Sequence, residues 1–178
     1  ILKQFKKDTF TITDVVFIIA PRINAAGRMK HGNHAVTLLT EKDFNLAAEY
    51  ASEIEQYNID RREADKRITE EALKQIEENK EQKRFTTVVY DQDWHKGVIG
   101  IVASRLTDTY YRPTLVFSKS GDMLAASARS VKGFDVYNAL EACSELVEQF
   151  GGHKYAAGLT LKEENYQAFK DKFESIVA

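Results

Sequence analysis

Apolar positions between Phe44 and Ile76 recur at helical spacing: Phe44, Ala47, Ala51, Ile54 and Tyr57, then Ala64, Ile68, Ala72 and Ile76 in steps of four. The other faces of this stretch are dense in Glu, Lys and Arg, and no Gly or Pro occurs between Gly32 and Gly97. The pattern predicts one long helix or two nearly continuous ones, roughly Glu41 to Lys80, with Thr40 as N-cap. Its apolar stripe is narrow, as in an arm packed on one side only. After Arg84 the period changes. Phe85–Tyr90 reads as a buried strand, Val98–Leu106 as an apolar helix and Thr114–Phe117 as a second strand introduced by Pro113. A turn over Ser118–Asp122 leads to a third strand, Met123–Ala128. Asp135–Gln149 is predicted as a helix with Val136, Ala139, Leu140, Cys143 and Val147 inward. Ala156–Leu161 is a short strand, and Glu163–Val177 a closing helix with Tyr166, Phe169, Phe173 and Ile176 inward. Residues 1–40 are less regular: Phe10–Ile12 and Val15–Ile19 fit a strand or a buried helix, ended by Pro21.

Composition narrows the class. At 178 residues with 43% hydrophobic content and a net charge of -2, the chain can fill a core and is not intrinsically disordered. The longest apolar run, Val15–Ala20, is too short to span a bilayer. The single cysteine, Cys143, excludes an internal disulfide and a cysteine-only zinc site, and it fits a reducing, cytoplasmic compartment. A first residue other than Met and the absence of a signal peptide suit a fragment of a longer protein. Charge is uneven: residues 1–40 hold six basic and two acidic side chains, residues 41–84 nine and thirteen. A global basic footprint is absent, so any anion site must be local.

The candidate chemistry sits in the segments between these elements. Gly151-Gly152-His153 can converge backbone N–H groups and an imidazole on a phosphate; alternatively Gly151 ends a helix and Gly152 completes its turn. Ser127-Ala128-Arg129-Ser130 sets a guanidinium between two hydroxyls. In the Trp94-His95-Lys96-Gly97 loop, His95 can reach a phosphate and Trp94 can stack on a base or anchor the loop. Arg22, Asn24 and Arg28 lie on a Gly-relaxed segment suited to a phosphodiester. His31 and His34 are three apart without a third ligand, so no metal site is predicted.

In their order along the chain, Pro21-Arg22-Ile23-Asn24-Ala25-Ala26-Gly27-Arg28, Trp94-His95-Lys96-Gly97-Val98-Ile99-Gly100-Ile101-Val102-Ala103-Ser104-Arg105-Leu106, Ser127-Ala128-Arg129-Ser130 and Gly151-Gly152-His153-Lys154-Tyr155-Ala156-Ala157-Gly158 closely resemble the RecJ family of bacterial single-stranded-DNA exonucleases. These belong to the DHH phosphoesterase superfamily. Asn58, Arg61 and Arg62 resemble that family's linker-helix pattern. The resemblance covers roughly Val15 to Ala178. It implies an α/β fold: a DHHA1-type domain (83–178) with a mixed β-sheet flanked by helices, preceded by a long linker helix (41–82) and by the tail of a DHH catalytic domain (1–40). It further implies a metal-dependent 5′-to-3′ exonuclease of DNA repair and recombination. Mn²⁺ or Mg²⁺ would be held by a DHH motif that this sequence lacks, so the chain alone is expected to bind no metal and to be inactive. Single-stranded DNA is the implied partner, with a helicase or a single-strand-binding protein admitted as others and no membrane. The implied phosphate-binding set is Arg129, Ser127, Ser130, Gly151, Gly152, His153 and His95, with Arg22, Asn24 and Arg28 along the strand. One departure is Ala126, where the family commonly has Gly; its methyl group would narrow the room for a phosphate. Two alternatives are a phosphodiesterase of short oligonucleotides or cyclic dinucleotides, and a non-catalytic nucleic-acid-binding module.

Overall fold

A computed structural model describes residues 9–178, which fall into two compact units dividing at Ala64 and Asp65. The basic residues Lys3, Lys6 and Lys7 lie outside the described residues.

The first unit is helical. A short turn, α1 (Ile12–Asp14), runs through a π-helical stretch (Val15–Ile19) into α2 (Ala20–Met29). Pro21 was expected to end the preceding element, and instead it sits near the start of α2. Proline has no N–H and its ring crowds the preceding helical turn. The chain widens just ahead of it, the Ala20 N–H bonding five residues back to the Val15 carbonyl, and so passes the proline without breaking. The segment expected to be a Gly-relaxed loop, Asn24–Arg28, is therefore helix. Ala25 and Ala26 are fully buried there, and Ala26 packs with Ala35 and Ile54, ringed by Ile23, Leu38 and Tyr57.

Helix α3 (Asn33–Thr40) had no counterpart in the sequence reading, and it displaces Thr40 from its expected role as a cap. The Thr40 hydroxyl donates to the Val36 carbonyl. Asp43 caps α4 (Phe44–Glu78) instead, its carboxylate accepting from the N–H groups of Asn45 (2.8 Å) and Leu46 (3.0 Å). Ile54, Ile68, Ala72 and Ile76 are buried as the spacing predicts, whereas Phe44 is exposed.

The second unit is built on a five-stranded mixed sheet of β1 (Thr87–Asp91), β2 (Thr114–Ser120), β3 (Met123–Arg129), β4 (Gln149–His153) and β5 (Ala156–Lys162), in the order β1-β2-β3-β5-β4. Only β1 and β2 are parallel, joined by the crossover helix α5 (Ile99–Tyr110). Leu115, Phe117, Leu124, Ala128, Leu159 and Leu161 form one face of the sheet. They pack with Val136 and Leu140 of α6 (Val136–Glu141) and with Phe169 and Phe173 of α7 (Tyr166–Val177). Helix α5 lies along β2 and β3. The expected helix over Asp135–Gln149 is cut short: α6 ends at Glu141, a 3₁₀ turn covers Ser144–Leu146, and Gln149 already belongs to β4. Pairing of β4 with β5 outweighs the helical spacing that Val147 continues. In the closing helix Val177 packs on the core, and Ile176 is 37% exposed.

Polar clasps tie the last turns of α4 to this sheet. Asp65, buried, takes both prongs of the Arg105 fork at 2.8 Å. The Gln75 amide pairs with the N–H and the carbonyl of Tyr90, so that it satisfies backbone groups on the free edge of β1. Arg112, buried where it precedes β2, donates to the carbonyls of Glu81, Gln82 and Arg84 and to the Thr87 hydroxyl. Burial lowers its pKa, and these acceptors hold the charge in place. Cys143 is buried in the α6–α7 core, and burial pushes its thiol up to about 11. In the folded protein it should resist a thiol reagent such as DTNB at pH 8 and react fully once denatured. Rapid reaction in the native state would show that this core opens.

Candidate functional site

Three segments far apart in sequence meet at Arg129. It ends β3, and its fork turns to α5: Nε donates to Ser104 Oγ (3.2 Å), while Nη1 donates to Ser127 Oγ (3.0 Å) and to the Ala128 carbonyl (2.8 Å). Ser104 Oγ in turn donates to the Gly100 carbonyl (3.1 Å). Gly100 makes the approach possible, since a Cβ there would lie 2.9 Å from Arg129 Nη2 and 3.0 Å from Ser127 Oγ. The third segment is the β4–β5 hairpin. The N–H of Ser130 donates to the Tyr155 carbonyl (3.0 Å), and that of Val136 donates to the Lys154 carbonyl (3.1 Å). The Ser130 hydroxyl itself is turned to the Phe134 carbonyl (3.0 Å) and closes the loop after β3.

Strand register sets the rest in rows. Arg129 pairs with Ala156, which pairs with His153; Ser127 with Gly158 and then Gly151; Ala125 with Thr160 and then Gln149. Residues paired across neighbouring strands share a face. Gln149, Gly151, His153 and Gly158 are exposed, so this part of the sheet is uncovered. A groove of about 730 Å³ runs along it, lined by Lys96, Gln149, Gly151, Gly158 and Thr160 among others. Its floor carries glycine where side chains would stand. Ala126, the departure expected to crowd a phosphate, alternates to the opposite face and packs with the apolar core. Its methyl group does not narrow the row at Ser127.

The paired glycines end no helix, because both lie within β4. Gly152 has φ +146°, and a Cβ on it would come within 2.4 Å of the Ala156 carbonyl oxygen. Only glycine fits there. The two histidines share a feature invisible in sequence. His153 Nδ1 accepts the Tyr155 N–H (3.3 Å), and His95 Nδ1 accepts the Gly97 N–H (3.1 Å). When neutral, each therefore carries its proton on Nε2 and presents a donor. Trp94, by contrast, offers no face to a base: it is buried, and its Nε1 donates to Glu71 (2.8 Å), so it anchors its loop.

Arg22, Asn24 and Arg28 belong to the first unit. The Arg22 fork engages the Glu55 carboxylate and the Ile18 carbonyl, tying α2 to α4. Asn24 and Arg28 lie on the exposed side of α2. Asn58 is buried and accepts from Arg61 (2.9 Å). Among the described residues no group of three or more His, Cys, Asp or Glu is placed to hold a metal ion, and the Asp91 carboxylate is engaged by the Asp93 N–H. Gly100, Ser104 and Lys96 stand in a quoted motif without a role of their own, and Gln149 and Thr160 stand in none. The first two could have been singled out, as an i, i+4 pair of small residues on one helix.

The family model described as the DHHA1 domain matches residues 81–178, more than half of the chain. The chain belongs to the DHHA1 family. It corresponds to the DHHA1 region of RecJ exonucleases. The single-stranded-DNA-specific exonuclease RecJ of Bacillus subtilis is 38% identical over 164 residues, which are 91% of this chain and 21% of that protein. RecJ of Thermus thermophilus is 32% identical over 165 residues, 93% of this chain and 24% of that protein. A crystal structure of RecJ in complex with Mn²⁺ from Thermus thermophilus superposes with a TM-score of 0.88 at 30% identity, covering 99% of this chain and 26% of that one. A Mg²⁺ complex of the same protein gives 0.86. This DHHA1 chain thus spans between a fifth and a third of the length of the curated relatives it matches. Among its described residues no helix is long and apolar enough to cross a membrane.

Proposed function

We propose that this chain is the substrate-binding part of a 5′-to-3′ single-stranded-DNA exonuclease acting in cytoplasmic DNA repair and recombination. In this reading residues 1–40 belong to the tail of a DHH catalytic domain, 41–82 to a linker helix and 83–178 to the DHHA1 domain. The observation that carries it is the Arg129 cluster, a guanidinium seated on Gly100, Ser104 and Ser127 beside an uncovered, glycine-floored groove. A phosphodiester entering that groove meets the Arg129 fork and the Nε2–H of His153, with Ser127, Ser130 and the Gly151–Gly152 backbone beside them and His95 from the loop before α5. None of these side chains moves a proton or attacks phosphorus; they orient the phosphate and stabilise charge as it develops. Asn24 and Arg28, on the exposed side of α2, follow the strand's backbone, while Arg22 is committed to Glu55 and holds α2 in place. In this reading a DHH catalytic domain supplies the Mn²⁺ or Mg²⁺ that activates water; among the described residues of this chain no carboxylate group is placed to hold one. A helicase or a single-strand-binding protein would present the strand.

The test compares the full-length protein with residues 1–178 on 5′-labelled single-stranded DNA, duplex DNA and a dinucleotide, each with Mn²⁺. The full-length protein should degrade the long single strand from its 5′ end, and the fragment should not. Preference for the dinucleotide, or for a cyclic dinucleotide, would favour a short-substrate phosphodiesterase. Binding of the strand without cleavage by the full-length protein would leave a nucleic-acid-binding module.

A further inference from the structure

We propose that Tyr155, at the tip of the β4–β5 hairpin, is a stacking platform for a base of the bound strand; this rests on the single-stranded-DNA reading above. In the second unit most aromatic side chains are consumed by the core: Phe117, Phe169 and Phe173 are fully buried, and Trp94 anchors its loop. Tyr155 is 52% exposed, on a turn of two residues between His153 and Ala156. No packing requirement explains a large ring at that position, since the adjoining residues Gly151 to Lys154 are exposed as well.

The ring is exposed, yet its backbone is held. The Tyr155 N–H donates to His153 Nδ1, its carbonyl accepts from Ser130, and the Lys154 carbonyl accepts from Val136. One residue before Ser130 is Arg129, and two before Tyr155 is His153. The platform is therefore joined by one hydrogen bond to the His153 ring and by another to the backbone N–H that follows Arg129. Its position needs no ordering on binding, which lowers the entropic cost of using it. The Lys154 ammonium lies 5.7 Å from the ring centroid, within range of a cation–π contact, and adds positive charge at the turn.

A row order follows. From the hairpin tip inward the strand would meet Tyr155, then the Arg129–Ala156–His153 row, then the groove floored by Gly151 and Gly158, two residues or about 7 Å further along. A base stacked on Tyr155 would fix its nucleotide beside the phosphate held in the next row. Because every base has a π-face, such a platform discriminates little between sequences, as a general single-strand binder requires.

The experiment uses the full-length protein and a short phosphorothioate oligothymidylate, which resists hydrolysis, with a single 2-aminopurine placed at successive positions. At one position the wild type should quench the 2-aminopurine. Tyr155→Ala should lose that quench and bind about tenfold more weakly at an unchanged melting temperature. Tyr155→Phe should retain both quench and affinity. Wild-type binding matched by Tyr155→Ala in affinity and quench would overturn the proposal while leaving the single-stranded-DNA reading intact. So would an affinity loss that only follows a lower melting temperature. Failure of the wild type to bind the oligonucleotide at all would overturn both.

Discussion

In the full-length protein, Arg129→Ala should cut turnover on single-stranded DNA by about 10²–10³, the usual cost of removing one donor aimed at developing charge. The folded state should hardly register the change. Arg129 is half-buried, and its partners include the hydroxyls of the half-buried Ser104 and Ser127 and the carbonyl of its own neighbour. Arg129→Lys should recover little, because an ammonium cannot reproduce a fork that sits on Ser104 and Ser127 and, as proposed, also grips a phosphate. Gly100→Ala separates position from charge. It keeps the guanidinium and places a methyl group 2.9 Å from Nη2, the movable end of a long side chain, which must then swing aside. In a helix that substitution gains up to about 1 kcal/mol of intrinsic propensity, so the melting temperature should hold or rise. A stable Gly100→Ala protein with at least tenfold lower activity is the expected result. Full activity in both Arg129→Ala and Gly100→Ala would show that the cluster only braces β3 against α5. Binding should respond as well, since removing one phosphate contact flattens the salt dependence by about one counterion.

Much of this site was legible because its parts lie where the period of the sequence changes. β1 and β2 follow from β-branched runs, α5 from the apolar spacing of Val98–Leu106 and β3 from the turn before it, and Arg129 stands at the end of β3. Local pattern fails where a neighbour decides the conformation. Pro21 and Gly27 are strong breakers in isolation, yet a π turn and the close packing of Ala25 and Ala26 keep α2 helical through both. Val136, Ala139, Leu140, Cys143 and Val147 carry a helical period beyond the point at which the chain leaves helix. Pairing with β5 across a two-residue turn, which sets Gln149 against Thr160, overrides it. Thr40 and Asp43 are both good caps three residues apart, and composition does not choose between them; the extra helix α3 does. The tautomers of His95 and His153 were beyond reach, since each depends on a backbone N–H two residues onward being turned back to the ring.

Gly152→Ala should be the most damaging single methyl group in the second unit. Its Cβ would lie 2.4 Å from the Ala156 carbonyl oxygen, 2.5 Å from Ala157 Cα and 2.8 Å from Ala157 Cβ. Two of those atoms are backbone of the paired strand, so no rotamer change relieves the contact. The φ of +146° adds a conformation that an L side chain rarely adopts, at a cost of about 1–3 kcal/mol. Clash and strain together put the loss at roughly 3 kcal/mol or more unless β4 detaches from β5. Detachment has a readable consequence, because β4 is an edge strand and its loss need not unfold Phe117, Phe169 and Phe173. Hydrogen exchange should then be fast over residues 149–157 in Gly152→Ala and remain slow in β2 and β3. Gly151→Ala is the matched control: nothing lies within 4 Å of its Cβ position and no positive φ is required, so it should fold normally. That methyl group would stand on the floor of the groove, and strand binding should fall while stability stays. Equal stability of Gly152→Ala and wild type would mean that the hairpin is not held in this form. The row from Arg129 to His153 would then lose the backbone that aligns it.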